Sequence, residues 1–318
     1  MLGVVLAGTI ADVDLVSALV GPGAYLFARQ TITHSILGTI AVIAVAVGIA
    51  RLLGRKKRPQ QKAAAIKDAG NVSLFVAATL AAVLHVLMDL CSSGGVAPLW
   101  PWRETRFAWD WLPHVDPWIL AVLLAGILLP ELFGLVGSEI GTKDTAPRGR
   151  NGAIVALVLL LIYVGARATL HANAVAQLDA HTYRGESPRR LAAFADPVSL
   201  VTWHGVVETT TQICTASVPA LESVRFDPES GLCVHKPEDS ALLQAAEQTD
   251  AAKKFLQHAR FPKASVGAAE VGTEVVVRDV RDSAEDEKRF AVAARVLLDR
   301  NGKVKRQDIL WASEAHLR

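Results

Sequence analysis

Thiols are scarce in this chain, with three cysteines, Cys91, Cys214 and Cys233, in 318 residues. That leaves no thiolate set for a cysteine-rich structural zinc site. There is no basic patch interleaved with aromatic side chains, so nucleic-acid binding has no support. The first apolar stretch, Leu2–Ala11, lacks the basic flank and small-residue cleavage site of a secretory signal. Up to about residue 170, charge itself is largely missing from long stretches. At 51% hydrophobic residues and mean hydropathy +0.31, the chain is more apolar than an ordinary soluble protein. The net charge of +2 averages over this uneven chain and says little about partners.

The apolarity is gathered into runs at Ile36–Leu53, Val72–Leu90, Pro117–Val136 and Gly152–Ala166, the last continuing to about Leu170. Each approaches the roughly 20 residues that a helix needs to cross a bilayer. Four such runs are hard to bury inside a soluble core. Leu2–Ala11 is too short to cross alone; either residues upstream complete it or it dips into the bilayer. The expected fold is a multi-pass α-helical membrane domain over 1–170, followed by a small α+β domain over 171–318, mostly antiparallel sheet.

Basic residues in the connections set an orientation. Arg51, Arg55, Lys56, Lys57, Arg58, Lys62 and Lys67 follow the first full run, and Lys143, Arg148 and Arg150 precede the last. The positive-inside rule makes both connections cytoplasmic. The opposite helix ends and the C-terminal domain then face the extracytoplasmic side.

Ionisable side chains collect at those outward ends. Asp12 and Asp14 close the first apolar stretch, His34 opens the second, His85 and Asp89 end the third, and Asp116 precedes the fourth. Such groups at membrane depth are costly and are usually paired, ligated or functional. His85 and Asp89 are four residues apart and share one helical face. Asp12 and Asp14 cannot share a helical face and require an extended or turned backbone. Mixed imidazole and carboxylate donors without thiolates suit a catalytic site for one or two divalent ions, zinc being the expected one.

The connection 91–116 adds Trp100, Trp102, Trp109 and Trp111, with Phe107, and Trp118 follows it. Two readings stand: an interfacial tryptophan belt, or the wall of a pocket for an amphipathic substrate. Ser92-Ser93-Gly94-Gly95 permits a tight turn near the ligands. Cys91 is either a further ligand or a small apolar filler.

These residues carry a resemblance. Asp12-Val13-Asp14, Thr31-Ile32-Thr33-His34-Ser35, His85-Val86-Leu87-Met88-Asp89, Gly94-Gly95-Val96, Pro98 through Pro101, and Asp110 through Trp118 resemble the YdjM-like family. Its members are inner-membrane-associated proteins described as metal-dependent hydrolases and as LexA-binding. The likeness covers roughly residues 1–170. Ala192 through Pro197 and Trp203 through Glu208 resemble the soluble extension of the longer members. The resemblance implies a multi-pass protein of a bacterial inner membrane, with Asp12, Asp14, His34, His85 and Asp89 as metal ligands and Asp116 a further candidate. Two departures stand out: the family's upstream helix with a Thr-His pair is not in this sequence, and Arg29-Gln30 occupies the usual His-Arg position.

Beyond Leu170–Asp179, expected to prolong the last helix, strands are expected at Val206–Ile213, Ser223–Phe226, Leu232–Val234, Glu274–Arg278, Ala291–Leu298 and Val304–Leu310. Asp227 through Gly231 and Arg300-Asn301-Gly302-Lys303 are turn signals, and Ala241–Arg260 reads as one helix. Cys214 and Cys233 flank a hairpin and are either a disulfide or free thiols. His204 and Glu208 lie on a strand, with no ligand expected between them; His235, His258 and His316 read as surface residues.

The function expected is a membrane-embedded metal-dependent hydrolase. Asp12, Asp14, His34, His85 and Asp89 would hold metal, and Asp116 or Asp110 would orient water or act as general base. Its partners would be the bilayer and a lipid-linked ester or phosphoester; the sequence sets no oligomeric state. The alternative is a non-catalytic protein in which the ion clamps helix ends and the outer domain binds a partner. A transporter is disfavoured because these residues sit at helix ends and not at mid-membrane.

Overall fold

The computed structural model describes residues 2–55, 64–139, 148–221, 223–269, 272–283 and 291–314. The chain divides into two compact units that interleave along the sequence. The first takes 1–109, 211–213 and 234–318, and the second takes 110–210 and 214–233.

The first unit opens with helix α1 (Leu2–Thr9), a 3-10 helix over Ile10–Leu19, and α2 (Pro22–Ala28). A helical hairpin follows, α3 (Ile36–Arg55) and α4 (Ala64–Cys91). α1, α3 and α4 pack through small and branched side chains: Ala7 against Ile43, Ala46, Val47, Ala78 and Ala82. The rest of this unit is a layer of helices on a sheet. Helices α7 (Ala241–Glu247) and α8 (Asp250–Leu256) lie on an antiparallel sheet of β5 (Pro262–Ala269), β6 (Gly272–Asp279), β7 (Val292–Leu298) and β8 (Val304–Trp311). Val275, Val277, Val292, Ala294, Val296 and Leu298 form its core with Leu243 and Phe255. Tyr25 on α2 packs on Trp311, ring centroids 5.5 Å apart, joining this layer to the N-terminal segment.

The second unit holds α5 (Pro117–Glu139), α6 (Arg148–Asp179), and the strands β1 (Arg190–Ala195), β2 (Thr202–Glu208), β3 (Gln212–Pro219) and β4 (Leu232–His235), which form a four-stranded sheet in that order. α5 and α6 approach closely where small residues face each other. A Cβ on Gly126 would stand 2.6 Å from the Ala156 Cβ, a contact the backbones could relieve only by separating. The C-terminal part of α6 leaves the apolar run and packs on the sheet, burying Ala174 and Leu178 against Trp203, Val207 and Val218. Arg167, almost wholly buried, lies 4.5 Å over the Trp203 ring and donates to the carbonyls of Trp111 and Leu200.

Among the described residues, three helices are long and apolar enough to cross a membrane: Ile36–Leu53, Val72–Cys91 and Gly149–Asp179. Only 22%, 17% and 11% of their apolar windows is buried. These helices therefore do not form the core of a soluble protein; their side chains meet the surroundings. The fourth expected span is a helix, but its described apolar part is the shorter Pro117–Leu132. Lys56, Lys57, Arg58, Lys62 and Lys143, on which the expected orientation rests, lie outside the described residues. The expected division at residue 170 falls inside α6.

Several expected elements differ in detail. Val206–Ile213 is not one strand: Thr209-Thr210-Thr211 turns between β2 and β3. Three β-branched threonines read as strand by composition, and tertiary pairing makes them a turn. Ser223–Phe226 forms no strand, whereas β1 and β5 arise where none is expected from alternation. The single helix expected over Ala241–Arg260 is two, because the Thr249 hydroxyl accepts from the Ala252 amide and starts α8 afresh. The turn at Asn301-Gly302 is present: Asp299 Oδ1 accepts from Asn301 and Lys303, and Gly302 takes φ 77°. Cys214 and Cys233 are joined as a disulfide between β3 and β4.

Candidate metal centre

Ser35 starts α3. Its hydroxyl accepts from the Gly38 amide at 3.0 Å, an N-cap that fixes His34 just ahead of the first turn. The Ile36 amide donates to the Pro98 carbonyl, so the connection after α4 braces the same point. At the other end of the hairpin, His85 and Asp89 lie in the last two turns of α4, one turn apart. The start of α3 and the end of α4 thus share one end of an antiparallel pair, and the 3-10 helix brings Asp12 and Asp14 there.

Four donor atoms converge. His34 Nε2 lies 3.2 Å from His85 Nε2 and 2.8 Å from Asp89 Oδ2. His85 Nε2 lies 3.7 Å from Asp12 Oδ2 and 3.8 Å from Asp89 Oδ2. Around a zinc ion with bonds near 2.0 Å, tetrahedral ligands stand about 3.3 Å apart. The separations around His85 bracket that edge length, and Asp89 Oδ2 lies beside both imidazoles without belonging to the mutually close set. Asp12, His34 and His85 each have a ligand atom within 4.8 Å of the others'.

Asp14 is placed differently from its expected role as a ligand. Its Oδ2 lies 3.3 Å from His34 Nδ1, on the side of the ring away from Nε2. The same oxygen accepts from the Gln30 amide at 2.7 Å. Gln30 takes φ 55°, a strained backbone for a non-glycine residue, and this turn aims its amide at the carboxylate. A carboxylate on Nδ1 fixes the tautomer and aims Nε2 at an ion, the usual arrangement behind metal-bound histidine.

The electrostatics follow from this packing. Burial disfavours charge on His34, but the bonds to Asp14 and Asp89 outweigh it and raise its pKa to about 9. Burial likewise opposes ionisation of Asp14, yet His34, the Gln30 amide and Arg29 hold its pKa below the ordinary value. Arg29 Nη1 sits 3.2 Å from both Asp12 Oδ1 and Asp14 Oδ1. The cluster is not sealed: the Asp12 side chain is 40% exposed, while those of His34 and Asp14 are almost wholly buried.

The loop after α4 closes over this end. Gly95 takes φ 62°, and the Phe107 carbonyl approaches so near that a side chain has no room. Val96 and Phe107 exchange amide bonds at 2.9 Å, and the Ala97 amide donates to the Gln30 carbonyl. Trp102, Phe107 and Trp109 in this loop are exposed. Cys91 is a free, buried cysteine.

Asp110 and Asp116 are in the second unit. Asp116 Oδ1 accepts from the Trp118 and Ile119 amides at 2.9 and 3.1 Å, and Oδ2 accepts from the Tyr163 hydroxyl at 2.7 Å. Those bonds make Asp116 the cap of α5 and tie it to α6. Asp110 is buried at φ 59°. Glu208 accepts from Arg190 Nε at 2.8 Å across β1 and β2.

The family model for the YdjM inner membrane protein matches residues 1–174. The chain belongs to the YdjM inner membrane protein family. No curated protein and no solved structure matches it significantly. Membership places the chain in a membrane, in agreement with its three membrane-length helices. Within the family match lie all five residues of the cluster.

Sequence reasoning assigned no role in this site to Arg29, Gln30 or Thr33, whose hydroxyl lies 2.9 Å from His34 Nδ1. One signal was available: Arg29 is the single Lys or Arg in the first 50 residues. A lone cation in so apolar a stretch requires a partner.

Proposed function

We propose that this end of the helical hairpin is the centre of a metal-dependent hydrolase acting on an ester or phosphoester. The observation that carries the reading is that ligand atoms of Asp12, His34 and His85 lie within 4.8 Å of one another, with Asp89 beside both imidazoles and the Asp12 side exposed. Structural zinc sites are closed, whereas catalytic ones keep a position open to water and substrate. A divalent cation held there, zinc by the donor set, would supply Lewis acidity and bring the pKa of water towards neutrality. Asp14 orients His34 and keeps its Nε2 directed at the cluster. In the reaction, a water oxygen bonds to the acyl carbon or phosphorus and the ester bond to the alcohol breaks. The alcohol leaves with a proton from water.

A lipid-linked substrate is the best match to the surroundings. Val13, Val16, Leu19 and Val20, on the segment that carries Asp12 and Asp14, are all more than half exposed. An apolar rim beside a polar cluster suits a molecule with a polar head and an acyl or prenyl tail. In this reading the cluster faces the outside of the inner membrane, with the soluble layers on the same side.

The test is metal content of the detergent-purified protein, then turnover of phosphate monoesters, diesters and carboxylate esters by wild type and His85→Ala. Bound metal, with turnover lost in His85→Ala, supports the reading. Bound metal without turnover on any substrate makes the ion a clamp on helix ends. Turnover indifferent to His85→Ala removes the cluster from the chemistry.

A further inference from the structure

Two guanidinium groups stand beside the carboxylates of the cluster with donors that no described residue uses. Arg29 spends Nη1 on Asp12 and Asp14, while its Nε is buried without a hydrogen-bond partner. Arg106, next to the bridge residue Phe107, donates through Nη2 to the Arg29 carbonyl at 2.6 Å and to Thr31 Oγ1 at 2.8 Å. Among the described residues no carboxylate pairs with Arg106. Burial and the like charges of Arg281 and Arg29 bring its pKa down to about 10, with Asp14 acting the other way. Arg281 donates to the Ser93 carbonyl, at the turn that follows α4. Guanidinium charge is therefore concentrated where half-buried groups ordinarily demand an anion. The planar fork of arginine matches phosphate oxygens, two at a time.

We infer that Arg29 and Arg106 form an anion subsite beside the metal cluster, and that the substrate carries a phosphate group there. The inference rests on the hydrolase reading for its substrate, though not for the subsite itself. A phosphate so placed touches cation-holding carboxylates through Arg29 on one side and the loop 91–109 through Arg106 on the other. This arrangement steadies the negative charge that grows on phosphoryl oxygens during transfer. It selects a phosphoester over a neutral carboxylate ester, whose carbonyl oxygen has no full charge for two guanidiniums. The phosphate belongs either to a lipid headgroup or to a soluble phosphoester.

The experiment is calorimetric titration of inorganic phosphate into the zinc-loaded full-length protein in detergent, for wild type, Arg106→Gln and Arg106→Lys. A second arm uses short-chain phosphatidic acid. Arg106→Gln is expected to weaken phosphate binding about tenfold or more, with zinc affinity unchanged within about twofold. Arg106→Lys, which keeps the charge and loses the fork, should fall between the two. Phosphatidic acid binding tighter than inorganic phosphate identifies the lipid source; equal binding identifies the soluble one. Either result upholds the subsite. Phosphate binding that is equal in wild type, Arg106→Gln and Arg106→Lys, or absent from wild type at millimolar concentrations, overturns it. If Arg106→Gln fails to fold, Arg106→Lys decides on the same criterion. If the protein binds no zinc, the hydrolase reading fails by itself, and the same titration on metal-free protein still judges the subsite.

Discussion

His34 Nε2 and His85 Nε2 face each other at 3.2 Å although 51 residues separate them in the chain. Two imidazoles meeting through these atoms either share one proton or share an ion. The two aspartate oxygens beside them favour a cation. Replacing either histidine by alanine is expected to lower zinc affinity by at least about a hundredfold, because one of few ligands is lost. Asp14→Asn should cost less, about 10- to 100-fold, as expected for a group that orients a ligand. Zinc competition with a chromophoric chelator measures both. Equal losses for Asp14→Asn and His34→Ala would make Asp14 a ligand.

Protons and metal compete for His34. With its pKa raised from 6.5 to about 9, the metal-free protein holds His34 protonated at neutral pH. A cation must displace that proton, so zinc affinity should rise about tenfold per pH unit up to about pH 9 and then level. Folding stability of the metal-free form runs the opposite way. A raised folded-state pKa stabilises fully below 6.5, and this contribution is lost as pH climbs through 9. Unfolding temperatures of metal-free protein should fall over that window, whereas zinc-loaded protein should not show the fall. A flat profile in the metal-free protein would refute the His34–Asp14–Asp89 coupling.

The helices α5 and α6 touch through glycine. Gly126→Val forces a side chain against Ala156 and should destabilise the pair by about 1–3 kcal/mol. Gly149→Val, where nothing stands within 4 Å of the added Cβ, serves as the control. Thermal unfolding in detergent reports both; equal losses would mean that the close approach is not what holds the helices.

The disulfide between Cys214 and Cys233 closes a loop with a sequence separation of 19, so Cys214→Ser should cost about 3 kcal/mol. The bond also bears on orientation. In intact cells, thiol labelling after denaturation without reductant should mark Cys91 alone if the sheet lies in an oxidising compartment. Labelling of all three cysteines would place the sheet in the cytoplasm and reverse the proposed orientation.

Much of the site is written in local sequence. Ser35 caps α3 wherever α3 goes, so His34 precedes a helix end, and His85 and Asp89 share a face by spacing alone. The division of labour between Asp12 and Asp14 is not written there. It depends on which side of the His34 ring each carboxylate reaches, and the strained turn at Gln30 sets that. For Asp116 the structure adds a local role that its place before an apolar helix allows: its bonds to the Trp118 and Ile119 amides cap α5, and Tyr163 donates to its other oxygen.

The same holds for the fold. Long uncharged runs dictated membrane helices because a bilayer tolerates no unpaired backbone and few charges, whatever the neighbours. The strands were less legible. Whether Thr209–Thr211 continues a strand or turns between two, and whether Arg190–Ala195 pairs at all, depends on partners elsewhere in the chain. Sequence alone therefore determined the membrane-length helices, the family motifs and the residue types of the centre, because those follow from local composition and spacing. Only the tertiary structure decided which atoms meet, since ring orientation, hydrogen-bond partners and the gathering of Arg29 and Arg106 are long-range contacts that no neighbouring residue encodes.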